Sequence, residues 1–199
     1  MIISHKHKFI FVKNYKTAGS SIESYLYPFL GEKDVIAQTE DYLGKNNFGD
    51  FDDIEEIYGY LPQKSVEKKL KFKMRYYPHM PIWLIKKRVS DDIFNEYLKF
   101  CVVRNPYDLL ISAFHWENKW VSKINLKEKF FEYIESIKNS ELKDHGTFNI
   151  NNISTKDGKK ILTDKIINFD ILDRELSEVF KKLKIPFEGK LNIYKKKNS

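Results

Sequence analysis

Six consecutive residues, Lys16-Thr17-Ala18-Gly19-Ser20-Ser21, combine a cation, three hydroxyls and a glycine. Between a strand and a helix, such a run is an anion cradle. Small residues let the backbone approach a ligand, the first N–H groups of a helix lack internal partners, and the helix dipole favours negative charge there. Lys16 adds a full positive charge, while Thr17, Ser20 and Ser21 add hydroxyl donors. The chemistry suits phosphate or sulfate. The G-x-x-x-x-G-K-[ST] loop of nucleotide hydrolases is not present, because Lys16 stands three residues before the only glycine of the run. The plainer alternative is a serine cap on an ordinary strand-to-helix turn beside a solvated lysine.

A second group lies further along. Arg104 ends an apolar run and Ser112 follows about two helical turns into the next segment. An arginine at the carboxyl end of a strand can clamp a phosphate bidentately, with the serine hydroxyl in support. The alternative is an ion pair, for instance with Asp108. His79 lies in the proline-bracketed turn Tyr77-Pro78-His79-Met80-Pro81, which holds it in a defined loop. Histidine titrates near neutrality, so His79 is a candidate general base. It could equally be a loop histidine bonded to a carbonyl. His115, beside Trp116, reads as packing or lining, and His5, His7 and His145 as bystanders. Glu55 or Glu56 becomes a candidate base only if the acidic loop around Asp50–Glu56 folds over the cleft; as a metal site that acidic run is weak. Trp83, Trp116 and Trp120 read as core, or as platforms for a sugar ring if exposed.

The elements that must position these groups are legible in outline. Phe9–Val12 is a short apolar strand, and Ile22, Leu26 and Phe29 recur at helical spacing, with Ser20 or Ser21 as cap. Pro28 and Gly31 end that helix, and Asp34–Ala37 reads as a short second strand. Residues 40–60 read as loop, and Gln63–Arg75 as an exposed basic helix running into an extended piece. Ile82–Val89 and Asp91–Leu98 are short helices, the second capped by Ser90 or Asp91. Lys99–Arg104 is a buried strand of parallel type. Asn105-Pro106 then supplies a cap and a first-turn proline for a helix to Trp116, with Leu109, Leu110, Ala113 and Phe114 toward the core. Leu126–Ser140 is amphipathic, Asp144–Lys160 a long polar loop, Lys165–Leu172 a third buried strand and Asp173–Leu183 a capped helix. A lysine-rich tail follows. Strands alternating with helices predict an α/β fold, one domain over residues 1–199, with a central parallel sheet flanked by helices.

Composition is consistent with one folded domain. The 199 residues are 42% hydrophobic, enough to bury a core, and a formal charge of +7 favours anionic partners. The lone Cys101 sits in an apolar run, which excludes an internal disulfide and reads as core rather than nucleophile. No long apolar segment spans a membrane and no signal peptide is evident, so a soluble cytoplasmic protein is expected.

KTAGSS after a first strand and CVVRNPYDLLISAFHW after a later one resemble the two signatures of sulfotransferases that use 3′-phosphoadenosine 5′-phosphosulfate, PAPS. The resemblance is to the carbohydrate type that includes the heparan sulfate 2-O enzymes and bacterial relatives. It covers roughly residues 8–30 and 77–120, with a fainter echo at Phe169–Phe180, and includes a His-x-Pro turn at His79 before the second signature. It implies a P-loop-like sulfotransferase architecture and transfer of a sulfuryl group from PAPS to a hydroxyl acceptor, a sugar or glycan, without a metal or nucleic acid. Lys16 would act on the leaving phosphate and Thr17, Ala18, Gly19, Ser20 and Ser21 would hold the 5′-phosphosulfate. Arg104 and Ser112 would hold the 3′-phosphate, and His79 would be the base. Residues near Phe169–Glu175 and Tyr194 are candidates to close over the adenine. One departure is Leu109, where the family often carries arginine. The acceptor and oligomeric state have no sequence signature here. Two other classes compete: a P-loop-like kinase, which would need the missing G-K-[ST], and a non-catalytic polyanion binder using the basic stretch Lys68–Arg75.

Overall fold

Phe9-Ile10-Phe11-Val12 has no polar position because both faces of strand β2 (Phe9–Val12) are covered: all four residues are buried. In the computed structural model, which describes residues 1–37, 76, 78–118, 125–139 and 149–191, alternate side chains of β2 enter two separate cores. Phe9 and Phe11 join Ile22, Leu26, Phe100, Val102 and Phe180 on one face. Ile10 and Val12 join Met80, Ile85, Phe94, Cys101 and Ile153 on the other. That two-sided burial is what a three-layer α/β arrangement requires. The acidic loop 40–60, the basic stretch 63–75, Tyr77, Trp120, His145 and the lysine-rich tail with Tyr194 lie outside the described residues.

In chain order, β1 (Ile2–Ser4) precedes β2, then come helix α1 (Gly19–Leu26), a 3₁₀ turn (Tyr27–Phe29) and β3 (Val35–Ile36). Two short helices, α2 (Ile82–Arg88) and α3 (Asp91–Glu96), lead to β4 (Leu98–Val103) and α4 (Pro106–Glu117). The described remainder is α5 (Leu126–Asn139), α6 (Asn149–Ile153), β5 (Lys165–Asn168), a second 3₁₀ turn (Phe169–Ile171) and α7 (Leu172–Lys182).

Among the described residues the strands form one sheet in the order β3-β1-β2-β4-β5. β4 runs parallel to both β2 and β5, whereas β1 pairs antiparallel with β2 and β3. The fold is therefore α/β as expected, but the sheet is mixed rather than parallel throughout. The cause is local: β1 is only three residues long and returns through a four-residue turn, which is too short for a parallel crossover. Asp34 holds that turn, accepting from Ser4 Oγ at 2.6 Å and from the backbone N–H of His5 at 2.7 Å.

Other expectations shift in detail. Neither Ser20 nor Ser21 caps α1; Ala18 holds the cap position in the left-handed region with no side-chain bond. Ser90 does cap α3, accepting from Ile93 N, and Asn105 caps α4, accepting from Tyr107 N. The strand expected to reach Leu172 stops at Asn168, whose side chain accepts from Asp170 N and turns the chain into a 3₁₀ turn. It is an edge strand, with Ile167 buried and Ile166 40% exposed. The polar stretch read as loop contains α6 and a bridge between Ser154 and Ile161. Among the described residues no helix is long and apolar enough to cross a membrane.

Candidate active site

β2 and β4 are parallel neighbours, with Val12 opposite Cys101, so the segments leaving their carboxyl ends emerge side by side. Open α/β sheets bind ligands at that edge. Asn14 ties the two exits together, its Nδ2 donating 2.9 Å to the carbonyl of Val102. The chain then turns through Lys16 (φ 58°) and Ala18 (φ 60°), both in the left-handed region that non-glycine residues seldom adopt. Thr17, between them, is fully buried, and its hydroxyl donates 3.1 Å to the Asn14 carbonyl. That hydroxyl closes the turn instead of serving as a free donor. Gly19 opens α1, and the N–H groups of Gly19 and Ser20 have no carbonyl to bond within the helix.

Lys16 and Arg104 line one cleft of about 520 Å³, with Ser112 and His115 from α4 on its wall. Trp116 and Ile111 supply its apolar lining, and exposed Asp108 stands at its lip. The Lys16 ammonium lies over the Trp116 ring, 4.8 Å from its centroid. The Arg104 guanidinium stacks 4.4 Å from the centroid of Phe169, and one of its terminal nitrogens donates to the Lys16 carbonyl at 3.5 Å. No Arg104–Asp108 ion pair occurs, and Arg104 Nε is buried without a hydrogen-bond partner among the described residues. Lys16, Arg104 and Ser112 are thus brought together, 88 residues of sequence apart in the Lys16–Arg104 case. Ala18, Gly19, Ser20 and Ser21 form the adjoining turn and the first turn of α1.

His79 does not line this cleft. It has φ 60°, is half-buried, and its Nδ1 lies 3.0 Å from the carbonyl of Lys13. A carbonyl only accepts, so Nδ1 carries the proton and Nε2 keeps its lone pair. Burial, then the positive charges of Lys13 and the Met1 amino group, depress its pKa to about 3. The ring meets Tyr15 edge-on at 5.9 Å, and burial followed by the charge of Glu117 pushes the Tyr15 phenol up to about 12. Cys101 is buried and its thiol is likewise pushed up to about 12 by burial, which fits a core residue.

A sequence model of the sulfotransferase family matches residues 1–174 of the chain. The chain belongs to the sulfotransferase family. It is also similar to an uncharacterized protein of Archaeoglobus fulgidus, 28% identical over 114 residues that cover 57% of this chain and 90% of that one. No solved structure matches it significantly. As a sulfotransferase-family member the protein is a transferase on an α/β fold, and the turn that carries Lys16 and the Arg104 segment both fall inside the matched region.

Sequence reasoning passed over Lys13 and Glu23. Both are buried: Lys13 Nζ donates 2.6 Å to Glu23, whose other oxygen takes the Met1 ammonium at 2.7 Å. Burial opposes ionisation of Glu23, but the two ammonium groups outweigh it and hold its carboxyl below its ordinary value. The available signal was a lysine directly after a wholly apolar strand and a glutamate beside Ile22 on the buried side of α1. Asn149 was also missed: it exchanges hydrogen bonds with the Tyr15 backbone at 2.8 and 3.1 Å, anchoring the turn to α6.

Proposed function

We propose that this sulfotransferase-family protein transfers a sulfuryl group from PAPS to a hydroxyl acceptor, with a sugar or glycan as the acceptor class and residues 1–199 as one catalytic domain. The observation that carries the reading is the convergence of Lys16, Arg104 and Ser112 on one cleft at the carboxyl ends of parallel strands. The Nε of Arg104, buried and without a hydrogen-bond partner among the described residues, fits a second anionic group, as a 3′-phosphate would be. When bound, PAPS supplies an activated sulfuryl group whose leaving group is a phosphate.

Each residue then has a task. Lys16 leaves the face of Trp116 to offset the charge that develops on the departing phosphate oxygen. The free N–H groups of Gly19 and Ser20, with the Ser20 and Ser21 hydroxyls, hold the phosphate oxygens, while Thr17 and Ala18 fix the shape of the turn. Arg104 and Ser112 grip the 3′-phosphate, and Phe169, already stacked on Arg104, covers the base side. His79 lies outside the cleft lined by Lys16 and Arg104; neutral, with Nδ1 committed to the Lys13 carbonyl, it would take the proton of an acceptor hydroxyl that reaches its Nε2.

Thermal denaturation tests the donor. The product 3′,5′-bisphosphoadenosine should raise the melting temperature where 5′-AMP and Mg²⁺–ATP do not. A shift with Mg²⁺–ATP alone would return the kinase reading, and binding of polyanions with steep salt dependence but no bisphosphate shift would return the polyanion binder.

A further inference from the structure

Lys13 is a buried cation that the reaction does not use, and its contacts run to the cradle. Besides Glu23, its Nζ donates 3.2 Å to Ser20 Oγ. Its side chain crosses directly behind Gly19: a Cβ at that position would fall 2.6 Å from Lys13 Cγ and 3.0 Å from Cε. Gly19 is therefore required for passage of this lysine as well as for approach of a ligand. An ammonium has three donors and no acceptor, so in the Lys13–Ser20 bond the serine oxygen must accept. The Ser20 proton is then turned away from Lys13, and it has no other partner among the described residues.

We infer that Lys13 is a positioning residue that orients the Ser20 hydroxyl as a committed donor to the 5′-phosphosulfate end of the ligand. The inference rests on the sulfotransferase reading above. Lys13 touches neither ligand nor reacting atoms; it acts by polarising and aiming the hydroxyl that does. A hydroxyl whose oxygen already accepts from a cation is the stronger donor, which makes the pair more than the sum of its members. Glu23 holds the lysine ammonium in place from the far side, accepting from it at 2.6 Å.

A double-mutant cycle separates this from a merely structural role. Calorimetry would compare 3′,5′-bisphosphoadenosine with adenosine 3′-phosphate, which lacks the 5′ group. Ser20→Ala should weaken the bisphosphate about tenfold and leave the 3′-phosphate unchanged. The Lys13→Met/Glu23→Gln pair, which removes the Lys13–Glu23 ion pair and leaves an amide oxygen to accept from the Met1 ammonium, should show the same selective loss. Adding Ser20→Ala to that pair should cost almost nothing more. Should the paired variant not fold, Gly19→Ala displaces Lys13 through its added Cβ, and in that background Ser20→Ala should again cost little. Additive losses in either background, or equal losses for the two ligands, would overturn the role of Lys13. Wild-type protein that binds no bisphosphate would instead overturn the reading on which it rests.

Discussion

His79 shows how much a single backbone contact decides. Its bond to the Lys13 carbonyl selects the tautomer, and the buried surroundings keep the ring neutral. His79→Ala should retain bisphosphoadenosine binding while lowering sulfuryl transfer by about 10²–10⁴-fold, as for a lost general base. Product release from PAPS in the presence of a hydroxyl acceptor is the measurement; unchanged turnover would remove His79 from the reaction. The same residue sets a pH dependence. Its folded pKa of about 3 lies below the ordinary 6.5, so between those values the unfolded chain binds a proton that the folded protein does not. Stability should fall as pH drops through this window, and His79→Gln should flatten that slope in urea titrations at pH 7, 5 and 4.

At the scale of elements, the site depends on two exits held in register. Asn14 bridges β2 to β4, and Asn105 caps the helix that carries Ser112. Asn105→Ala should cost about 1 kcal/mol of stability, the usual loss for a helix cap, with calorimetric melting as the check. The two strands that carry the site, the cap at Asn105 and the helix carrying Ser112 were legible because each is written in consecutive residues: apolar runs, then Asn-Pro. The cap of α1 was not legible, because a serine beside a glycine signals a cap equally well whether the chain enters the helix through an ordinary or a left-handed residue. Only the burial of Thr17 and the passage of Lys13 behind Gly19 decide that. The mixed sheet was missed for a related reason. Ile2–Ser4 is too short to announce a strand, and its pairing is set by the turn and by Asp34, thirty residues distant from Ser4. The early end of β5 follows from the Asn168 side chain bonding Asp170 N, a local competition that an apolar run does not reveal.

For the described residues as a whole, two cores lie on opposite faces of one sheet, and Lys16 and Arg104 line a cleft at the carboxyl ends of β2 and β4. The net charge of +7 favours encounter with anionic ligands. In the proposed function, Lys16 and Arg104 grip the two phosphate groups of one bisphosphorylated nucleotide. The measurement that tests it most directly is calorimetric titration of 3′,5′-bisphosphoadenosine and 5′-AMP into wild type and Arg104→Ala. Wild type should prefer the bisphosphate by at least about tenfold, the worth of a charge-assisted bidentate contact, and Arg104→Ala should bind both ligands alike. Equal affinities in wild type, or a preference that survives Arg104→Ala, would contradict that reading.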